Sequence, residues 1–167
     1  IGLLGFAGYP SGLVDRRLGA NNGWGSMFTD AEYRYSQNPS ATVNITVSSA
    51  VYNTGTRQLT VNATATALTA LTGQYKVNYV IKEDNLVWPQ TGNSYCAGNS
   101  TAAHYDVVRN MVNNANGENV NTGTWNQNQT YPLTFTTTLD AAWIPGNCNF
   151  DIFIYKDNGS LNVSEVQ

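Results

Sequence analysis

The chain has 167 residues and a formal net charge of −3, and charged side chains make up only 11% of it. This balance excludes nucleic acid as a partner, because nucleic-acid binding needs clustered Lys and Arg. No apolar run approaches the roughly 20 residues that a membrane-spanning helix requires. No basic segment precedes an apolar stretch either, so we expect that any signal peptide is absent from this chain.

Residues 1–40 differ in character from the rest of the chain. Residues 1–16 hold an apolar run, a turn that contains Pro10 and a second apolar stretch, which predicts two strands joined by a tight turn. Residues 26–36 place apolar side chains near helical spacing, and Pro39 follows them. This pattern predicts a short helix. We therefore treat residues 1–40 as an N-terminal segment and 41–167 as the main domain.

From residue 41 onward, apolar and polar residues alternate with a period of two. Val43, Ile45 and Val47 are separated by polar residues, and the same pattern recurs over 59–65 and 75–81. Such alternation is typical of strands with one buried face. Turn residues divide the pattern into about seven strands, at 41–52, 58–68, 74–83, 104–112, 130–139, 149–156 and 161–166. The chain is predicted to be all-β, with the architecture of an immunoglobulin-like antiparallel β-sandwich.

Two long polar stretches, residues 85–102 and 113–129, interrupt the predicted strands. Loops of this length are uncommon in ordered domains and serve either as binding surfaces or as long crossovers. Trp88 and Tyr95 lie in the first stretch and Trp125 in the second. An exposed indole in a polar loop favours ligand binding, so these three residues are the predicted contact residues. The alternative is that tryptophans close the ends of the sandwich.

The two cysteines, Cys96 and Cys148, are the whole thiol content of the chain. In an oxidising compartment they would close one disulfide worth about 3–4 kcal/mol. The alternative is two unpaired thiols, with Cys148 buried as a small apolar side chain. Their spacing excludes a CxxC redox motif, and their number excludes a structural zinc site.

Acid–base and metal chemistry have few candidate residues. His104 and Asp106 would share one face of a strand, but no nucleophile motif accompanies them, and a structural role is the expected one. Residues 157–160 offer several oxygens to calcium, although their pattern is typical of a hairpin turn. We therefore predict no catalytic residues, no metal site and no cofactor, and expect that the chain is not an enzyme.

Two segments resemble known families. Residues 8–16 are similar to the proline-containing turn of thioredoxin-like domains. Residues 104–111, with Gly117, Glu118, Trp143 and 147–149, resemble the twenty-eight-kilodalton outer membrane protein family of Bacteroidetes. The resemblance extends over residues 8–167. It departs from a complete member in two places, because no CxxC segment is present and the stretch 85–102 has no counterpart.

The resemblance implies a β-sandwich that follows a thioredoxin-like region, of which the N-terminal segment would be the remnant. Members of that family look like exported envelope or surface proteins without an established reaction. The resemblance therefore implies an exported protein of the outer membrane, cell surface or periplasm that binds a protein or glycan in adhesion or ligand capture. The alternative is an accessory domain of a thioredoxin-like thiol–disulfide oxidoreductase whose active site lies upstream of this chain.

Overall fold

The computed structural model describes residues 14–15, 27–92, 98–161 and 164–167. Within these ranges the chain forms one α-helix, ten strands and a short 3₁₀ turn at Pro145–Asn147. The helix and strands are α1 (Met27–Gln37), β1 (Val43–Asn53), β2 (Gln58–Ala67), β3 (Tyr75–Glu83), β4 (Leu86–Gln90), β5 (Asn99–His104), β6 (Val107–Met111), β7 (Glu118–Asn119), β8 (Thr130–Thr138), β9 (Cys148–Lys156) and β10 (Glu165–Val166).

The strands form two antiparallel sheets and a separate hairpin. One sheet has the order β1-β2-β8, and the other has the order β10-β9-β3-β6, with β7 also paired to β3. Strands β4 and β5 pair with each other. The prediction of an all-β antiparallel sandwich is confirmed, and the sequence alternation explains it because strands such as β2 and β8 bury one of their two faces.

The core lies between the two sheets and follows the period-two pattern. β2 supplies Val61 and small alanines, whereas β3 supplies Tyr75, Tyr79 and other large side chains, so small residues face large ones. The Tyr79 and Phe135 rings lie 4.8 Å apart, centroid to centroid, and tie the two sheets together. Close packing of this kind is what fixes the distance between two sheets.

The structure corrects the predicted long loop at residues 85–102. Its two ends are the strands β4 and β5, so the described part of that stretch is a β-hairpin. The predicted strand 104–112 is also divided, because β5 ends at His104 and β6 begins at Val107. Asp106 interrupts the strand with a φ of 54°. Asn and Asp adopt this left-handed conformation more readily than other residues that carry a Cβ.

The helix α1 occupies the predicted place and contacts the second sheet through its C-terminal turn. Arg34 pairs with Glu165 of β10 and, over 3.3 Å, with Asp15. Asn38 donates a hydrogen bond to the same Glu165 carboxylate at 3.1 Å. The strands predicted within residues 1–16 lie almost wholly outside the described residues. A thioredoxin-like remnant therefore stays a prediction, as does the division at residue 40.

Candidate interaction surface at one end of the sandwich

The β4–β5 hairpin lies at the end of the sandwich where β3 finishes, which we call the hairpin end. β4 begins three residues after β3 ends, and β5 leads back into β6. Both junctions turn through left-handed residues, with a φ of 58° at Asn85 and 54° at Asp106. Because β3 and β6 are themselves paired, the hairpin extends that pair of strands beyond the end of the sheet.

Polar contacts fix the base of the hairpin. Asp84 accepts hydrogen bonds from the backbone N–H of Asp106 at 2.8 Å and from the Asn149 side chain at 2.9 Å. Lys82 pairs with Asp106 at 2.6 Å and with Asp151 at 2.9 Å. The hydrogen bond to Asp106 raises the pKa of Lys82, with Asp151 adding to the rise. The orientation of the hairpin is thus set by residues of four neighbouring strands and turns.

Large apolar side chains are exposed on the hairpin and beside it. Val87 is 61% exposed and Trp88 is 62% exposed, both on β4. Tyr105, between β5 and β6, is 63% exposed, and Val108 of β6 is 58% exposed. Val87 and Trp88 are consecutive on β4 and therefore lie on opposite faces of the hairpin, so exposed apolar side chains are available to a partner on both faces.

The segment between β8 and β9 lies at the same end and is held from two sides. Arg57 donates hydrogen bonds to the carbonyl oxygens of Leu139 at 3.1 Å, Asp140 at 2.6 Å and Trp143 at 2.8 Å. Arg57 lies in the β1–β2 turn, so its guanidinium links that turn to the segment between β8 and β9. Such charge-assisted hydrogen bonds are the stronger kind, and they fix the loop.

A buried carboxylate completes this arrangement. Glu83, the last residue of β3, is 1% exposed and accepts a hydrogen bond from the Ile144 backbone N–H at 2.7 Å. Its other oxygen lies 3.3 Å from Nε of Arg109, whose guanidinium stacks over the Trp143 ring at 5.3 Å. Ile144 itself is exposed on the outside of this segment. The carboxylate therefore pairs a cation and positions an apolar side chain at the surface.

A cavity of about 310 Å³ opens between the two sheets beneath this segment. Apolar side chains from both sheets line most of it, together with Cys148: Tyr52, Leu59, Ile81, Leu139 and Phe150. The Cys148 sulfur lies 3.4 Å from the Ile144 carbonyl oxygen, within hydrogen-bond distance. Burial raises the pKa of the Cys148 thiol, and the Glu83 carboxylate adds to the rise. The thiol is therefore kept protonated rather than activated.

The opposite end of the sandwich, which we call the closed end, contains Trp125. The structure corrects the prediction that this indole is exposed in a loop, because Trp125 is 0% exposed. Its ring packs edge-on against Tyr75 at 5.8 Å and Tyr131 at 5.3 Å, and its Nε1 donates to the Gln129 carbonyl at 2.9 Å. With Nε1 satisfied and the ring enclosed, Trp125 closes the sandwich and offers no surface to a ligand.

The remaining predicted site residues have different placements. Tyr95 and Cys96 lie outside the described residues, so contact by Tyr95 and the Cys96–Cys148 disulfide stay predictions. His104 Nε2 lies 3.3 Å from the Trp88 carbonyl, whereas Asp106 pairs with Lys82. Asp157 accepts from the Gly159 N–H and pairs with Lys76 at 2.7 Å, in keeping with a hairpin turn.

In the described ranges, no group of three or more His, Cys, Asp and Glu side chains is placed to hold a metal ion. None of the helices in the described part of the chain is long and apolar enough to cross a bilayer.

Several residues of the hairpin end were missed by the sequence reasoning. Val87, Tyr105, Val108 and Ile144 were not singled out, because these short segments have no regular period that would show which side chains are exposed. The position of Glu83, in contrast, could have been noticed in the sequence. It continues the inward row of β3 at a position where the alternation calls for an apolar residue, which marks a buried acid with a partner.

The fold and the elaborated end define a β-sandwich domain that presents a hairpin. The chain matches the outer membrane protein Omp28 family over residues 2–167 and belongs to that family. The family places it among exported proteins of the outer membrane or cell surface. No match was found among curated proteins.

A solved structure with a similar fold is HBP35 of Porphyromonas gingivalis. The two share 14% identity and a TM-score of 0.74, and the match covers 99% of this chain and 52% of that one. At this identity the similarity concerns the fold alone. The chain spans about half the length of that solved protein.

Proposed function

We propose that this chain is a non-catalytic binding module of an outer-membrane or cell-surface protein, and that its hairpin end contacts a protein or glycan. The observation that carries the proposal is Trp88, an indole 62% exposed on a hairpin that extends beyond the sandwich. Tryptophan is enriched at interaction hot spots because it combines a large apolar surface with one hydrogen-bond donor. An indole of this kind suits both protein partners and the apolar faces of sugar rings.

The surroundings of Trp88 support a specific contact rather than a nonspecific adhesive one. Polar contacts fix the base of the hairpin, as Asp84 and Lys82 show, so little ordering of that base is left to occur on binding. The apolar cavity beside Cys148 opens at the same end and suits a single apolar side chain of a partner. A hairpin held at its base next to a recess is an arrangement that favours shape-complementary binding.

The redox alternative receives less support from the described residues. Disulfide exchange needs a thiolate at neutral pH, and it is favoured by a lowered thiol pKa. The pKa of Cys148 is raised instead, by burial and by Glu83. An accessory role beside an upstream redox site concerns a longer protein than this chain. A CxxC motif in the sequence upstream of Ile1 would favour that alternative.

The test is a binding screen with a matched pair of variants. The purified chain, Trp88→Ala and Leu68→Ala are applied to a glycan array and to purified extracellular-matrix proteins. Leu68 is 42% exposed and lies at the closed end, where Gln127 bonds its carbonyl, so it controls for loss of an exposed apolar side chain. We expect a ligand retained by Leu68→Ala and lost by Trp88→Ala. A folded wild-type chain that binds nothing would argue for a spacer.

A further inference from the structure

A second, larger cavity of about 550 Å³ lies at the closed end, between α1 and the sandwich. Most of its described lining comes from α1, from the residues that join α1 to β1, and from the neighbouring ends of β3, β9 and β10. Hydrogen bonds hold these parts together. Asn38 donates to Glu165 at 3.1 Å, and Thr42 donates to the Gln167 side chain at 2.8 Å. A cavity of this volume with fixed walls has the size of a small-molecule site.

The charged side chains of this cavity are paired with one another except for Lys156. The carboxylates of Asp15 and Glu165 both face the Arg34 guanidinium. Lys156, the last residue of β9, has no side-chain hydrogen bond or ion pair with any residue that the structure describes. Its stem lies against Gly73, where an added Cβ would come within 3.3 Å of Lys156 Cε. The charge left for a ligand is therefore the ammonium of Lys156, on a side chain with a fixed course.

Tyr75 supplies a second unpaired polar group to the same cavity. It is 3% exposed, and its ring packs edge-on against Trp125. Its backbone N–H donates to Asn121 and its carbonyl accepts from Val120, so the polar atom that Tyr75 offers to the cavity is its hydroxyl. Among the described residues that hydroxyl has no hydrogen-bond partner. A buried polar group left unpaired is costly, and a ligand atom would satisfy it.

Strand pairing brings these two groups to one place. Tyr75 and Lys156 are directly opposite each other in the β3–β9 ladder, so their side chains leave the same face of the sheet. Opposed residues of antiparallel strands have Cβ atoms about 5 Å apart, which lets one small anionic group contact both side chains. Burial raises the pKa of Tyr75, so the hydroxyl keeps its proton and can donate it in a hydrogen bond.

We propose that this cavity binds a small acidic sugar, whose carboxylate accepts hydrogen bonds from Lys156 and Tyr75. The two oxygens of a carboxylate suit one ammonium and one hydroxyl donor. The rest of the lining suits a sugar ring, because the hydroxyl of Ser40 and the amide of Asn38 lie beside apolar groups. The Tyr35 ring, which is 71% exposed, offers a surface to the apolar face of a sugar. This site lies away from the hairpin end and goes beyond the function proposed for it.

The test is titration calorimetry of the chain with D-glucuronate, D-glucose and acetate. We expect saturable binding of glucuronate and at least about tenfold weaker binding of glucose, which lacks the carboxylate, and of acetate, which lacks the ring. Lys156→Gln should weaken glucuronate binding at least about tenfold. Lys76→Gln is the matched control, because it removes the same charge from the residue next to Tyr75 on the opposite face of β3. It should change the affinity less than about twofold.

Tyr75→Phe removes the hydroxyl alone and separates binding from folding. We expect at least about threefold weaker glucuronate binding and no loss in the free energy of unfolding by urea, because the hydroxyl has no partner in the described part of the fold. A marked loss of stability would show that the fold itself uses the hydroxyl and would overturn its assigned role. A wild-type chain that does not bind glucuronate, acetate bound as tightly as glucuronate, or an unchanged affinity in Lys156→Gln would each overturn the proposal.

Discussion

The same strands run between the two ends of the sandwich, but one end buries its tryptophan and the other exposes it. At the closed end, Trp125 enters the core, and its backbone forms two hydrogen bonds with Leu71, at 2.8 and 2.9 Å. Asn121 is also buried there and accepts from the Tyr75 N–H at 2.7 Å while donating to the carbonyls of Gly73 and Gly123. At the hairpin end, Trp88 lies on a strand that leaves the sandwich.

The difference shows that backbone hydrogen bonding determines whether a tryptophan outside the main strands is buried or exposed. The loop that carries Trp125 bonds back to the chain between β2 and β3, so its indole is held over the open end of the core. Trp88 instead pairs with Ala102 in a hairpin, and its ring lies outside the core. Burial of the first indole stabilises the fold. Exposure of the second is tolerated, and it is the feature that a binding partner would use.

The largest effect is expected at the closed end. Trp125→Ala removes the indole from between Tyr75 and Tyr131 and leaves a cavity. We expect the free energy of unfolding to fall by about 3–5 kcal/mol, measured by urea denaturation. A loss no greater than that of Trp88→Ala would show that the two ends do not differ as described.

A smaller effect is expected where the hairpin end meets the core. Glu83→Gln keeps the shape of the side chain and an acceptor for the Ile144 N–H but removes the charge that faces Arg109. We expect a loss of about 1–3 kcal/mol in the free energy of unfolding. Asp151→Asn, whose side chain is 51% exposed, is the matched control and should cost less than about 0.5 kcal/mol. Equal losses of unfolding free energy in the two variants would contradict a specific stabilising role of the Glu83 charge.

The Asp157 turn, which follows β9 at the closed end and bonds to Gln74, gives a pH dependence. A hydrogen bond from Lys76 and another from the Gly159 N–H lower the pKa of Asp157. Its contribution to stability is therefore present above the unfolded pKa of about 3.9 and is lost as pH falls through the folded value. We expect Asp157→Asn to cost less than about 1 kcal/mol near neutral pH, because the pair is partly solvated.

The pH profile of that variant is the check. Urea unfolding of the wild type and of Asp157→Asn should differ most near neutrality and converge in acid, where the wild-type carboxyl is protonated. Asp140→Asn serves as a control, because Asp140 is exposed and accepts from the Ala142 N–H. Curves that diverge in acid would contradict the assigned direction.

The smallest effect on stability is expected at Trp88. The Trp88 indole does not belong to the hydrophobic core, so Trp88→Ala should change the free energy of unfolding by less than about 0.5 kcal/mol. The same variant is expected to lose binding. A large loss of stability would mean that the ring packs against the fold.

The sequence predicted the sandwich well because the alternation is local. Leu59, Val61 and Ala63 on one strand and Tyr75 and Val77 on another face inward as their spacing indicates, and the period of two needs no long-range information. The family resemblance was also correct. These features depend on residues that lie within one strand or one short motif.

The candidate site was harder to predict because it depends on pairing between distant residues. Polar residues 85–102 appeared to be a loop, since β4 and β5 are short and Trp88 has no apolar neighbours in a regular period. Trp125 and Trp88 have similarly polar sequence surroundings. Contacts with residues distant in sequence, such as the hydrogen bonds between Trp125 and Leu71 more than fifty residues apart, distinguish the buried indole from the exposed one.

The most direct test of the account is the affinity of Trp88→Ala for a ligand found in the binding screen, relative to Leu68→Ala at the closed end. The account predicts at least about a tenfold loss of affinity for Trp88→Ala and less than about a twofold change for Leu68→Ala, with both variants folded. An unchanged affinity in Trp88→Ala, or an equal loss in both variants, would contradict the claim that the hairpin end is the binding surface.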